Sequence, residues 1–249
     1  MTLPPSAGEP RQAPPEPRVR RMFDEIVRRY DLVNDVLSAG MDRRWRKAAV
    51  RALHALLDAP VLDLGCGTGR LAEGLARELR VRGRRFGHGN GTSAVVGIDV
   101  SLPMLLSARR RRSTPVELVQ GSAFRLPFAD SVFGGAVSAF VLRNLDDLPA
   151  AFRELARVLR SGAGISLVDI TEPSNPLQRK LFDAYFRVAA PAVGGLVGRR
   201  AAYRYLVRSL AHLPPPAEVG HLLVDAGCEG VRWRSLAPGM VTLWTARRA

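Results

Sequence analysis

Residues 61–70 read VLDLGCGTGR; residues 60–64, Pro-Val-Leu-Asp-Leu, form a short apolar run broken by one acid, Asp63, and closed by the alternating glycines Gly65, Gly67 and Gly69. A run this short and this apolar suits a strand buried on both faces of a parallel sheet. Glycines at its carboxyl end let the backbone turn tightly and approach a ligand closely. Their spacing is G-x-G-x-G, not the G-x-G-x-x-G of a dinucleotide loop. Asp63 places negative charge where a pyrophosphate would be repelled, so the expected ligand carries positive charge.

Working outward, VGIDV at Val96 to Val100 closes a second strand with Asp99, placed to accept hydrogen bonds from both hydroxyls of a ribose. The alternative for Asp99 is an N-cap of the next helix. It lies 30 positions after Gly69, beyond the usual spacing of about 20, and the glycine- and arginine-rich stretch Gly83 to Ala94 accounts for the excess as a surface insertion. The alternation continues with strand Val95 to Val100, helix Leu102 to Arg110, strands Val116 to Val119 and Val132 to Ala139, helix Leu148 to Leu159, and strand Ile165 to Ile170. Strands alternating with helices predict an α/β fold, a doubly wound, mostly parallel seven-stranded sheet with its ligand crevice at the carboxyl ends of the strands. Before the first strand come helix Val19 to Tyr30 and a helix from an Asp42 N-cap to about Asp58. After Ile170 the periodicity predicts helices at Pro176 to Ala190, Ala201 to Leu210 and Ala217 to Ala226. Strands Gly230 to Leu236 and Met240 to Ala246 then form an antiparallel edge hairpin.

The expected organisation is a disordered proline-rich leader, 1–17, and one domain, 18–249. Within it lie a helical N-terminal cap (18–58), a cofactor-binding core (59–170), a helical substrate lid (171–212), and a C-terminal helix with edge strands (213–249). At 249 residues and 47% hydrophobic, one core suffices without disulfides. Cys66, Cys228 and four scattered histidines offer neither a disulfide framework nor metal-ligand spacing, so no metal is expected. Thirty-seven basic and 23 acidic residues give a net charge of +14, but only Lys47 and Lys180 are lysines, and the arginines cluster locally only at Arg18 to Arg21 and Arg109 to Arg112. An RNA-binding role would need clustered cations interleaved with aromatics, which make up 6%; no nucleic-acid partner is expected. Val188 to Gly198 is the longest uncharged stretch near a helical run, short of the roughly 20 residues of a spanning helix. The leader has no apolar core of a secretion signal, so the expected location is cytoplasmic.

The two motifs together resemble those of the class I S-adenosylmethionine-dependent methyltransferases, with a Rossmann-like fold, over about Val61 to Ile170. That resemblance implies S-adenosylmethionine as cofactor, with Asp63, Gly65, Gly67, Thr68 and Gly69 on the methionine and ribose side, Asp99 on the ribose and Met104 on the adenine. An Asp or Asn after the third strand often meets the adenine amino group in that family. Here Gly121-Ser122-Ala123 stands there, so the contact falls to Ser122, Ala123 or backbone.

Flanking segments are similar to those of the ubiquinone and menaquinone biosynthesis C-methyltransferases: MFDEIVRRYDLVNDVLSAGMDRRWR from Met22 to Arg46, FVLRNLDD from Phe140 to Asp147, Tyr203 to Leu206 with Ser209, and the turn Ala237-Pro238-Gly239. This implies methylation of a demethylmenaquinol ring. Arg143, Asn144, Asp169 and Tyr203 are the implied catalytic residues, and Tyr30, Asn34, Phe140 and Tyr185 would face the acceptor. Arg143, always protonated, suits stabilisation of a developing phenolate; the base stays open among Asp169, Tyr203 and a water. Structural readings compete: Tyr30, Asn34 and Trp45 as packing, Arg143 as a salt bridge to Asp146 or Asp147, Tyr203 as core. The chain departs from the family at Asp169, Arg70 and Ala139, where Glu, an acid and Ser are usual. A polyprenyl acceptor must come from a bilayer, so Val188 to Gly198 with Arg199 and Arg200 is expected either to rest on the inner face of the membrane or to roof the pocket. Monomer or homodimer stays open.

Overall fold

The computed structural model describes residues 15–85, 94–111, 115–173, 175–180, 182, 184, 209, 212–237 and 239–249. Seven strands form one sheet: β1 (Val61–Leu64), β2 (Val95–Asp99), β3 (Glu117–Gln120), β4 (Phe133–Ala139), β5 (Leu159–Ile170), β6 (Cys228–Ala237) and β7 (Val241–Arg248), in the order β3-β2-β1-β4-β5-β7-β6. The pairs from β3 through β5 are parallel, and β7 runs antiparallel to both β5 and β6. The expected doubly wound sheet with an antiparallel edge is therefore present. Its order reverses between β1 and β4, so the crevice outside their carboxyl ends is where a ligand of such a sheet binds.

The helices are α1 (Glu16–Leu37), α2 (Asp42–Ala52), α3 (Arg70–Arg85), α4 (Leu102–Arg111), α5 (Leu148–Val158) and α6 (Pro216–Asp225). One core holds Leu62, Leu64, Ile98, Phe133, Phe152, Leu167 and Trp244, a second Trp45, Leu53, Leu71, Leu75, Val137 and Leu243. Strand β1 contributes to both because it is buried throughout.

Several boundaries differ from the sequence reading. Helix α1 starts at Glu16, inside the stretch expected as leader, because a proline in the first turn gives up an N–H that has no helical partner anyway. It then runs on to Leu37, and Ala39 (φ 48°) and Gly40 (φ 74°) turn the chain. Asp42 is not an N-cap; Met41 holds that position, and the Asp42 side chain is committed to arginines. Helix α2 ends at Ala52, where Leu53 becomes extended, and β5 begins at Leu159. Residues 86–93 of the expected insertion and most of the expected lid lie outside the described residues.

Candidate active site

Strand β1 delivers the glycine loop. Gly65 and Gly67 have φ of +68° and +54°, which side chains disfavour, and a Cβ on Gly65 would run into the Val141 side chain. The Cys66 N–H donates to the Ile98 carbonyl at 2.9 Å, fastening the loop to β2. The Gly67 N–H donates to Asp99 Oδ2 at 2.8 Å and the Ser101 N–H to Oδ1 at 2.9 Å. A carboxylate accepts about four hydrogen bonds, so Asp99 keeps capacity for two ribose hydroxyls while capping the loop that follows it. Burial, only partly offset by those amides, pushes its carboxyl up to about 6.

Asp63 lies behind this loop, fully buried, and neither carboxylate oxygen makes a hydrogen bond. Desolvation pushes it up to about 7 against the opposing charge of Arg46. An unpaired buried carboxylate is expensive, and a nearby cation would relieve it.

Helix α1 lies across the mouth of the crevice. Glu16, Val19, Phe23 and Tyr30 fall on one helical stripe and line the cavity. The helix is tied to the core by its acids. Thr68 Oγ1 donates to Asp31 at 2.8 Å, Ser101 Oγ to Asp24 at 2.6 Å and Ser122 Oγ to Glu16 at 2.5 Å. Arg70, the first residue of α3, binds Asp35 through two nitrogens at 2.6 and 3.0 Å and also meets Asp31 at 3.1 Å and Asp42 at 3.3 Å. Its guanidinium holds the Asp35 carboxyl down at about 2. The arginine that stands where the family usually has an acid is thus the anchor of a four-residue ion cluster.

The opposite wall follows β4. Phe140 has φ +66°, a conformation costing a non-glycine residue on the order of 1–3 kcal/mol. Its ring is held by Trp45, edge to face at 6.2 Å, and by the Arg46 guanidinium at 4.9 Å. A 3-10 turn, Leu142–Asn144, comes next. Arg143 turns away into the protein and pairs with Asp169, while its backbone N–H donates to Asp169 Oδ2 at 3.3 Å. Asn144 Nδ2 donates to the Phe140 carbonyl at 3.2 Å, which braces the turn.

These walls line a crevice whose space, open mouth included, is about 820 Å³. Of the residues expected from sequence, Gly65, Gly67, Thr68, Asp99, Met104, Ala123, Tyr30, Phe140 and Asn144 line it. Ser122 reaches it through Glu16. Gly69 packs behind, against Ala108, with Asp63. Asn34 sits one turn beyond Tyr30 and does not line the cavity. Arg143 and Asp169 do not line it either, because each satisfies the other's buried charge; Asp169 Oδ1 also accepts from the Ile170 N–H at 2.7 Å. That engagement removes Asp169 from the candidate bases and makes Arg143 an anchor of the turn. Tyr185 and Tyr203 lie outside the described residues. Sequence reasoning missed Glu16, Phe23 and Arg46 as lining residues, although Phe23 and Arg46 fall within the quoted Met22 to Arg46 segment. Among the described residues Arg46 is the one cation lining the cavity.

The model of the ubiE/COQ5 methyltransferase family matches residues 11–248. The chain belongs to that family. It is 40% identical over 231 residues to the demethylmenaquinone methyltransferase of Mycolicibacterium paratuberculosis, covering 92% of this chain and 94% of the relative. It is 36% identical over 233 residues to the ubiquinone/menaquinone biosynthesis C-methyltransferase UbiE of Syntrophotalea carbinolica, with the same coverages. Among solved structures, a SAM-dependent methyltransferase of Thermotoga maritima superimposes with a TM-score of 0.63 at 18% identity, covering 92% of this chain and 99% of that one. A phosphoethanolamine N-methyltransferase of Haemonchus contortus, solved with S-adenosyl-L-methionine, gives 0.58 at 13% identity, covering 82% and 52%. These likenesses carry the fold, and family membership makes the chain a methyltransferase. Among the described residues no helix is long and apolar enough to cross a membrane.

Proposed function

We propose that this methyltransferase moves the methyl group of S-adenosylmethionine to a ring carbon of demethylmenaquinol, giving menaquinol. The observation that carries the reading is the charge layout of the cavity. Arg46 and the spare acceptor capacity of Asp99 suit a carboxylate and two ribose hydroxyls, and the negative charge of Asp63 behind the glycine loop favours a cationic group in front of it; those are the polar groups of that cofactor. When bound, S-adenosylmethionine supplies an electrophilic methyl on a sulfonium.

The chain's residues then have distinct tasks. Arg46 would meet the methionine carboxylate, with the Asp63 charge behind the glycine loop favouring the amino group, Asp99 would hold the ribose, and Met104 would pack at the adenine end. The Phe140 to Leu145 wall faces the remaining space, where a flat aromatic acceptor fits against Phe140 and Leu145. Loss of a quinol hydroxyl proton puts an electron pair on the adjacent ring carbon. With the cofactor bound, that carbon would take the methyl as its bond to sulfur breaks and S-adenosylhomocysteine leaves; the ring proton would then be lost, restoring aromaticity, and the phenolate oxygen would regain a proton to give menaquinol. Asn144, held rigid by the Phe140 carbonyl and the Arg143–Asp169 anchor, orients the hydroxyl. Holding both reactants at attack distance supplies part of the acceleration asked of such a site.

The test is methyl transfer from labelled S-adenosylmethionine to demethylmenaquinol in detergent, with lipid quinones from a deletion strain as the cellular check. Labelled menaquinol is expected. Label entering only another lipophilic phenol, or none restored in the strain, refutes the acceptor. Because the acceptor's tail is bilayer-soluble, the reading includes docking of 188–200 on anionic lipid at the inner face of the membrane, each basic residue adding about 1 kcal/mol. Flotation with anionic vesicles is expected at low salt and weakened by Arg199→Ala/Arg200→Ala. A chain that never floats refutes the docking.

A further inference from the structure

The resemblance stated above implies an Asp or Asn after β3 at the adenine amino group, and this chain has Ser122 there. Asp99 fixes the ribose at the end of β2, and β3 is the next strand outward, so the base of a bound nucleoside extends toward the residues after β3. Those are Gly121, Ser122, Ala123 and Phe124. Ser122 offers a hydroxyl, but its one proton goes to Glu16 Oε2 at 2.5 Å while its oxygen accepts the Phe124 N–H at 3.1 Å. The hydroxyl oxygen keeps at most one lone pair, a weaker acceptor for an amino group than the carboxylate it binds. It serves instead to hold Glu16, which comes from the first turn of α1, 106 residues away in sequence.

Glu16 lines the cavity beside Val19, with Met104, Gly121, Ala123 and Phe124 lining the same end. Its Oε2 is taken by Ser122; Oε1 takes no part in that bond. We propose that Glu16 is the adenine-recognition residue of this chain, its Oε1 accepting a hydrogen bond from the exocyclic amino group. The proposal rests on the cofactor reading above. It moves the acid from the loop after β3 to the helix that covers the site: Ser122 has become the strut, and Glu16 the acceptor. The consequence is that base recognition and closure of α1 are one event, since the acceptor arrives only when the helix is docked.

Discrimination between two ligands on one protein separates this from general damage to α1. The probes are S-adenosylhomocysteine and its 6-deamino analogue, which carries hydrogen in place of the amino group, titrated calorimetrically into wild type, Glu16→Ala and Glu16→Gln. Wild type is expected to prefer the amino-bearing ligand by roughly 10- to 100-fold, as a site built to hydrogen-bond a donor rejects the analogue lacking it. Glu16→Ala should bring the ratio to within about threefold. Glu16→Gln, which keeps an acceptor oxygen without the charge, should retain part of the preference. Loss of helix docking alone would weaken both ligands together and leave the ratio as in wild type. A wild-type ratio near one, or a ratio that Glu16→Ala leaves unchanged, overturns the proposal. If wild type binds neither ligand, the cofactor reading itself fails.

Discussion

Replacing Asp63 by Asn should make the ligand-free protein more stable and a poorer receptor for its cofactor. In the folded chain the carboxyl titrates at about 7 instead of its ordinary 3.8, chiefly because burial disfavours its charged form. A group raised in this way supports folding fully below about pH 4, and the support drains as pH climbs to about 7, where the buried acid must ionise. At about 1.4 kcal/mol per pH unit, the cost above pH 7 is on the order of 4 kcal/mol. An amide is nearly isosteric and removes the charge, but its own unpaired polar atoms cost about 1–3 kcal/mol. The net gain expected at pH 8.5 is therefore about 1–3 kcal/mol, or a Tm higher by several degrees at about 2–4 °C per kcal/mol for a chain of this size. At pH 5 only about 1.6 kcal/mol of that cost has accrued, close to what the amide's unpaired atoms cost, so the two proteins should melt at nearly the same temperature. Thermal unfolding at both pH values, with and without S-adenosylhomocysteine, checks each part. The ligand should raise the variant's Tm less than the wild type's, because the amino group has lost its counter-charge. An Asn variant that melts lower than wild type at pH 8.5, or higher by the same amount at both pH values, refutes the reasoning.

Cofactor affinity should fall as pH drops through about 6, since protonated Asp99 has fewer acceptor sites for ribose hydroxyls. Asp99→Asn should reduce that dependence to the part carried by Asp63 and bind at least about tenfold more weakly at pH 8, which calorimetry at pH 5 and 8 would show. Arg70→Ala strands Asp31, Asp35 and Asp42 without their common cation. Helix α1 should then lose hydrogen-exchange protection, and S-adenosylhomocysteine should dissociate several-fold faster in stopped flow; unchanged protection would leave the cluster as surface decoration.

What the sequence made legible is what is local. The apolar run, its glycines and the acid ending β2 all signal within ten residues of one another or at a strand end, and the strands alternate with helices on a period that determines the sheet. Glu16 was illegible because it stands among prolines that read as leader, and its partner is 106 positions away. Arg143 was misplaced for a different reason. Its fixed charge suggested a phenolate partner, yet at 4% exposure the nearer need was to neutralise Asp169. Asn34 failed by one helical turn: the cavity ends at Tyr30, and no periodicity shows where a groove stops. Arg46 was quoted within a motif, but only the packing of Trp45 against Phe140 shows that its neighbour faces the ligand.

The whole-chain charge of +14 is a poor guide to the sign of the field at this site. Around the crevice Glu16, Asp24, Asp31, Asp35, Asp42, Asp63 and Asp99 outnumber Arg46, Arg70 and Arg111. A cleft of one sign with low-dielectric walls focuses its field outward, whereas charges spread over the far surface are screened beyond about 10 Å at 0.1 M salt. S-adenosylmethionine carries one net positive charge at neutral pH: sulfonium and ammonium against one carboxylate. If the local acids govern the encounter, its association rate falls as salt rises, because screening weakens an attraction. If the distributed arginines govern it, the rate rises with salt as repulsion is screened. The acids on α1 and at the strand ends predict the first result, and stopped-flow association at low and high ionic strength decides between them. A rate that climbs with salt would mean that the Arg70 cluster and the protonated fractions of Asp63 and Asp99 leave the mouth without a net attraction for cations.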